Sequence, residues 1–112
     1  MRELRRFPRV PYAVDAKYHR AGVGESWRAV RVVNLSAGGI RVLTEELLNL
    51  GEILELRIQL TGVRGPLVLH GRVAWRQMQA AGVTEHGLGF IDVTPSQQEQ
   101  IDGLVCFLKQ SA

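Results

Sequence analysis

Apolar and polar side chains alternate with a period of two along most of the chain, and the period lengthens only near the C-terminus. In YAVDAKYHR (12–20), Tyr12, Val14, Ala16 and Tyr18 share one face, and Ala13, Asp15, Lys17 and His19 share the other. That pattern predicts a half-buried strand. AGVGE (21–25) supplies turn residues, and SWRAVRVVN (26–34) predicts a second strand returning from it. GIRVLTEE (39–46) predicts a short third strand. In EILELRIQL (52–60), Leu54, Leu56, Ile58 and Leu60 alternate with Glu55, Arg57 and Gln59. The Leu and Glu content would suit a helix, but the period favours a strand.

After a turn at TGVRGP (61–66), the segment LVLHGRVAWRQMQ (67–79) places Leu67, Leu69, Gly71, Val73 and Trp75 on one face, with Gly71 the expected bend or bulge. AAGVTEH (80–86) is expected to turn, and GLGFIDV (87–93) to form the last strand. Thr94, Pro95 and Gln97 form a capping-box signature, after which Ile101, Leu104, Val105 and Leu108 follow helical spacing. Phe107 falls at the flank of that apolar stripe and Cys106 nearly opposite it. Six short strands with no helix between them predict an all-β antiparallel barrel or sandwich, with one C-terminal helix packed on its side or plugging an end.

The 112 residues fit one domain, large enough to bury its own core. Net charge is only +3, but Arg2, Arg5, Arg6 and Arg9 all fall in the first nine residues. Residues 1–11 therefore read as a flexible basic arm aimed at a localised anionic partner, and residues 12–112 as the folded body. The single cysteine, Cys106, excludes an internal disulfide, and no Cys/His cluster suits zinc. No apolar run approaches a membrane span, and the N-terminus lacks the apolar core of a secretory signal, so a cytoplasmic protein is expected.

No catalytic constellation emerges, so the reading is of a protein that is not an enzyme. His19, His70 and His86 lie far apart without metal-ligand spacing and read as surface or half-buried residues. Ser36 lacks the G-x-S-x-G setting of a nucleophile elbow, and Glu45–Glu46 reads as a solvated loop. Two other segments carry more chemistry. In RRFPR, Arg5, Arg6 and Arg9 can converge on one ligand, and the planar guanidinium both forks onto phosphate and stacks on a purine. In NLSAGG, Asn34 offers an amide to a purine edge, Ser36 offers a hydroxyl, and Gly39 allows close backbone approach. Each segment alone fits an ordinary basic tail or an ordinary turn equally well.

Together, R-x-x-x-R at Arg5–Arg9 followed by N-x-S-x-x-G at Asn34, Ser36 and Gly39 resembles the PilZ family of receptors for cyclic di-GMP. The resemblance runs nearly the whole chain, including the GLGF strand and the trailing helix; Asn34 stands where many members have Asp. It implies a six-stranded antiparallel barrel with cyclic di-GMP as ligand and no other cofactor. Arg5 and Arg9 would clamp phosphate and guanine with Arg6 as accessory, Asn34 would pair with a guanine edge, Ser36 would bond a phosphate or base, and Gly39 would leave room. Ligand binding would order the arm and create a surface for a downstream protein partner. No DNA or membrane is expected as a partner, and the chain is expected to be a monomer or a weak homodimer.

Trp75 is a further candidate for bordering the ligand, although its parity with Leu67, Leu69 and Val73 favours a place in the core. Rival readings are a PilZ-like adaptor that has lost its ligand, and a basic barrel for single-stranded nucleic acid. The second fits the charge and the two tryptophans but lacks basic residues interleaved with aromatics along one strand face.

Overall fold

The computed structural model describes residues 14–20, 26–60, 65–80 and 82–111, and the basic arm and Tyr12 lie outside these. Six strands run in chain order: β1 (Val14–Arg20), β2 (Arg28–Leu35), β3 (Gly39–Thr44), β4 (Ile53–Leu60), β5 (Leu67–Ala80) and β6 (Val83–Ile91). The helix α1 (Pro95–Ser111) follows. All neighbouring strands are antiparallel and close a barrel in the order β1-β2-β3-β6-β5-β4, with β4 returning to β1. The all-β barrel with a C-terminal helix is thus the fold that the alternation and the resemblance predicted. No helix of the described residues is long and apolar enough to cross a membrane.

Alternation decides what enters the barrel. Ala16 and Tyr18, Ile40 and Val42, Leu54, Leu56 and Ile58, Leu67 and Leu69, and Val73 and Leu88 are all buried. Burying each large aliphatic side chain contributes roughly 1.5–3 kcal/mol, so these positions hold the barrel closed. Leu48, from the loop after β3, and Ile101, from α1, have no exposed surface. Because β3 and β6 run antiparallel, these two enter the core from opposite ends. The helix starts as its sequence predicts: Thr94 N donates to Gln97 Oε1 at 2.9 Å and Gln97 N to Thr94 Oγ1 at 3.1 Å.

Several local expectations are corrected. The turn after β5 is not the whole of 80–86. Ala80 pairs with Val83, Gly82 sits at φ 76°, and β6 is already running at Val83. The inward residues of early β6 are Thr84 and His86, and two polar residues in buried positions conceal the strand in a hydrophobicity pattern. Gly71 is no bulge; it pairs in register with Leu54 and Phe90, and a Cβ there would lie 2.9 Å from a methyl of Leu56. The register of β5 against β6 shifts instead between Val73 and Trp75 and again between Met78 and Ala80.

Glu46 is likewise no free loop carboxylate. It accepts a hydrogen bond from the Tyr18 hydroxyl and pairs with Arg20 at 2.5 Å, while Arg20 also grips Glu52 at 2.6 and 2.8 Å. The Tyr18 hydroxyl and then Arg20 hold the Glu46 carboxyl below the usual range, and the hydrogen bonds from Arg20 do the same for Glu52.

His86 is fully buried. Leu48 N donates to its Nε2 at 3.1 Å, so the proton of the neutral ring sits on Nδ1, facing Thr44 Oγ1 at 3.4 Å. Burial, followed by the nearby Arg76 charge, lowers its pKa below the ordinary 6.5. The unfolded chain takes up the proton first, so this contribution is present above pH 6.5 and is lost as pH falls below it. Urea midpoints should therefore drop between pH 7 and pH 5, ahead of the carboxylates, and His86→Gln should flatten that slope. Equal slopes in both proteins would count against the assignment.

Candidate functional site

The β2–β3 connection is a tight turn. Ser36 N donates to Gly39 O at 2.9 Å, and the Ser36 hydroxyl reaches the same carbonyl at 3.3 Å. Two outside groups brace it: Phe90 N donates to Gly38 O at 2.9 Å, and Gln98 Nε2 of α1 donates to Ala37 O at 3.2 Å. The loop of the N-x-S-x-x-G segment is thus tied to β6 and to the helix, which orders its backbone.

Asn34 and Trp75 reach the outer face of the barrel by the same device. In β2 and β3, Val32 pairs with Val42 but Asn34 pairs with Arg41, so Val33 is an extra residue. In β5 and β6, Val73 pairs with Leu88 but Trp75 pairs with Gly87, so Ala74 is extra. A bulge reverses the side-chain parity beyond it. By simple alternation Asn34 would follow Val30 and Val32 inward, and Trp75 would follow Val73; with the bulges, both are exposed. The expected core position of Trp75 is therefore overturned, and the indole is 39% exposed.

The two bulges terminate one continuous row across four strands: Asn34–Arg41, Arg41–Gly87 and Gly87–Trp75 are successive cross-strand pairs. Beside it, Gly39 pairs with Gly89 and Gly89 with Arg72. Glycines thus floor the face between the Asn34 side and the tryptophan. A Cβ on Gly87 would stand 2.2 Å from the indole nitrogen of Trp75, so the ring lies directly across that glycine. Asn34, Ser36, Gly39, Arg41, Trp75 and Gly87 together line a cavity of about 330 Å³.

Of the sequence candidates, the structure gathers Asn34, Ser36, Gly39 and Trp75 in this cavity, while Arg5, Arg6 and Arg9 lie outside the described residues. Arg41 and Gly87 are additions. The alternation already puts Arg41 outward, but Gly87 can be matched to Trp75 only once the reversal after Ala80 is known. Among the described residues no cluster of His, Cys, Asp or Glu could hold a metal ion. What the face offers instead is an aromatic plane, an amide, a hydroxyl and a guanidinium around a floor without side chains.

The approach to this face from β1 is short. Ala16 pairs with Val30, which sets Val14 level with Val32, two residues before Asn34. Both valines line a larger cavity of about 1010 Å³ that runs along β1 and β2 toward Arg28 and Glu46 and does not include the Ser36–Gly39 turn. Val14, the first described residue, consequently stands beside the Asn34 end of the row.

Comparison with solved structures finds the same architecture. The Bacillus subtilis inhibitor of motility MotI/DgrA superposes with a TM-score of 0.68 at 17% identity, over 95% of this chain and 54% of that one. Escherichia coli YcgR in complex with c-di-GMP gives 0.67 at 16% identity, over 89% of this chain and 46% of that one. The PilZ domain of Escherichia coli YcgR with c-di-GMP gives 0.60 at 15% identity, over 92% and 93%. The chain thus spans about half the length of the first two. Likeness at these identities establishes the fold. A search of curated proteins found no match in sequence. The PilZ domain model, in contrast, matches residues 3–106, arm and barrel alike, and the chain is a member of the PilZ domain family.

Proposed function

We propose that the protein is a cyclic di-GMP receptor in which the face between Asn34 and Trp75 is one wall of the site and the Arg5–Arg9 arm is the other. The observation that carries this reading is the four-strand row whose ends are turned outward by two bulges. Cyclic di-GMP has two phosphates and two guanines. Its rings need a stacking plane and hydrogen-bond partners for their edges, and its phosphates need cations. The indole of Trp75 supplies the plane, the Asn34 amide pairs with a guanine edge, and Ser36 bonds a phosphate or base. Arg5 and Arg9 clamp phosphate and guanine, with Arg6 beside them. From Arg9 to Val14 the chain spans at most about 17 Å, enough to bring the arginines over a face that begins next to Val32.

On this reading the ligand neutralises the arm and folds it across the barrel, at an ordering cost that lowers net affinity. The remodelled surface, arm plus loop plus the α1 side chains tied to that loop, is then recognised by a downstream protein. No step of chemistry is performed on the ligand.

Isothermal titration of the intact chain with cyclic di-GMP should give saturable heat at micromolar concentrations, with GMP much weaker. No heat and no chemical-shift change at those concentrations would overturn the proposal. Trp75→Ala should weaken binding about tenfold, the loss of one base-stacking partner. Gly87→Ala should cost a similar factor by pushing the indole off its glycine, with near-ultraviolet circular dichroism reporting the displaced ring. If Gly87→Ala moves the ring and leaves affinity untouched, Trp75 is not a ligand contact.

A further inference from the structure

Arg41 is the one cation in the centre of the row among the described residues, between Asn34 and Gly87. Its side chain is 48% exposed and lines the cavity with Asn34, Ser36 and Trp75. Its partner is Glu85, two residues before Gly87 on β6, at 3.4 Å from Oε2. The pairing is loose. Glu85 Oε2 is buried and has no hydrogen bond among the described residues, whereas Oε1 accepts one from Gln79 Nε2 at 3.1 Å. A guanidinium that faces an open cavity and holds its carboxylate by charge alone is available to a better acceptor. A phosphate is such an acceptor, because it offers the fork two short parallel hydrogen bonds. Gln79 would continue to donate to Glu85 Oε1 after the exchange.

We propose that Arg41 is a ligand-contacting cation of this site, exchanging the Glu85 carboxylate for a ligand phosphate, and that Glu85 sets the affinity by competing for it. The inference rests on the cyclic di-GMP reading of the same face. It adds a cation supplied by the barrel itself, fixed on β3 independently of the arm. It also makes β6 part of the affinity control, since Glu85 and Gly87 act on the two neighbours of Gly87 in the row, Arg41 and Trp75.

The test is a double-mutant cycle read by isothermal titration with cyclic di-GMP on the full chain, with folding checked by thermal melts. Arg41→Ala should weaken binding about tenfold and make it less sensitive to salt. Glu85→Gln keeps the hydrogen bond to the Gln79 side chain but removes the competing charge, and should tighten binding several-fold. In the double variant the gain should vanish, leaving the affinity of Arg41→Ala alone. Arg41→Lys should recover only part of the loss, since it restores charge without the fork. If the unaltered chain binds and Arg41→Ala binds equally well, this inference falls and the receptor reading stands. If Glu85→Gln weakens binding as much as Arg41→Ala does, the pair is a brace between β3 and β6 and the competition is excluded. If the unaltered chain does not bind, both readings fall together.

Discussion

Gly39→Ala is expected to melt at a temperature roughly 8 °C below the unaltered protein, and Gly38→Ala close to it. The two glycines are adjacent, and only their surroundings differ. A Cβ at Gly39 would lie 2.3 Å from the Leu88 carbonyl oxygen and 3.3 Å from its carbon, both backbone atoms of β6. Backbone in the middle of a paired strand cannot swing aside as a long side chain can, so β3 and β6 must separate at the Gly39–Gly89 pair. Overpacking of this kind costs about 2 kcal/mol, which for a domain of this size corresponds to the shift stated. At Gly38 a Cβ meets nothing within 4 Å, and an exposed change of that sort stays within about 0.5 kcal/mol. Thermal unfolding followed by far-ultraviolet circular dichroism separates the two; equal melting temperatures would refute the steric account. The glycine of N-x-S-x-x-G is thereby required by the barrel itself, because it lets the loop close against β6. Affinity lost in Gly39→Ala would follow from that displaced loop.

The barrel was legible in the sequence because its core is built by alternation, and alternation is a local property. β1, β4 and the first half of β5 have their inward residues where period two puts them: Ala16 and Tyr18, Leu54, Leu56 and Ile58, Leu67 and Leu69. The site was legible only in part, and the failure is also physical. Parity counts assume an unbroken pleat, and both bulges interrupt it, one before Asn34 and one before Trp75. The motif picks out Asn34 as a candidate without reference to parity, whereas Trp75 has no motif and parity places it on the wrong face.

β6 was obscured for a different reason. Its buried residues include Thr84 and His86, which look like turn or surface residues until the hydrogen bonds of His86 to Leu48 and Thr44 are known. A strand that starts unseen leaves its partner without a register, so Trp75 could not be matched to Gly87, nor Arg41 to Glu85. Glu46 is the same problem in reverse. Its acidic neighbour suggests a solvated loop, and only tertiary structure brings Tyr18 and Arg20 to it, 28 and 26 residues away.

Arg5→Ala and Arg9→Ala should each weaken cyclic di-GMP binding about 100-fold, the largest effects expected from single changes here. A bidentate, charge-assisted contact to phosphate contributes roughly twice a neutral hydrogen bond, and 2–3 kcal/mol corresponds to about that factor. The arm precedes the first described strand and the core cluster is built from the barrel and the helix, so melting temperatures without ligand should stay within roughly 2 °C of the unaltered protein. With saturating ligand the unaltered chain should gain stability by mass action and the variants should not, which makes the melt a second readout of the same contact. Arg9→Lys keeps the charge and should recover the salt sensitivity but only part of the affinity, separating attraction to the phosphate from the paired hydrogen bonds and the stacking that a guanidinium provides. Unchanged affinity in Arg5→Ala and Arg9→Ala would remove the arm from the site and leave the barrel face, with Arg41 as its cation, to bind alone. The titration of these two variants therefore measures how the site is divided between a short basic arm and a rigid outer face of the barrel.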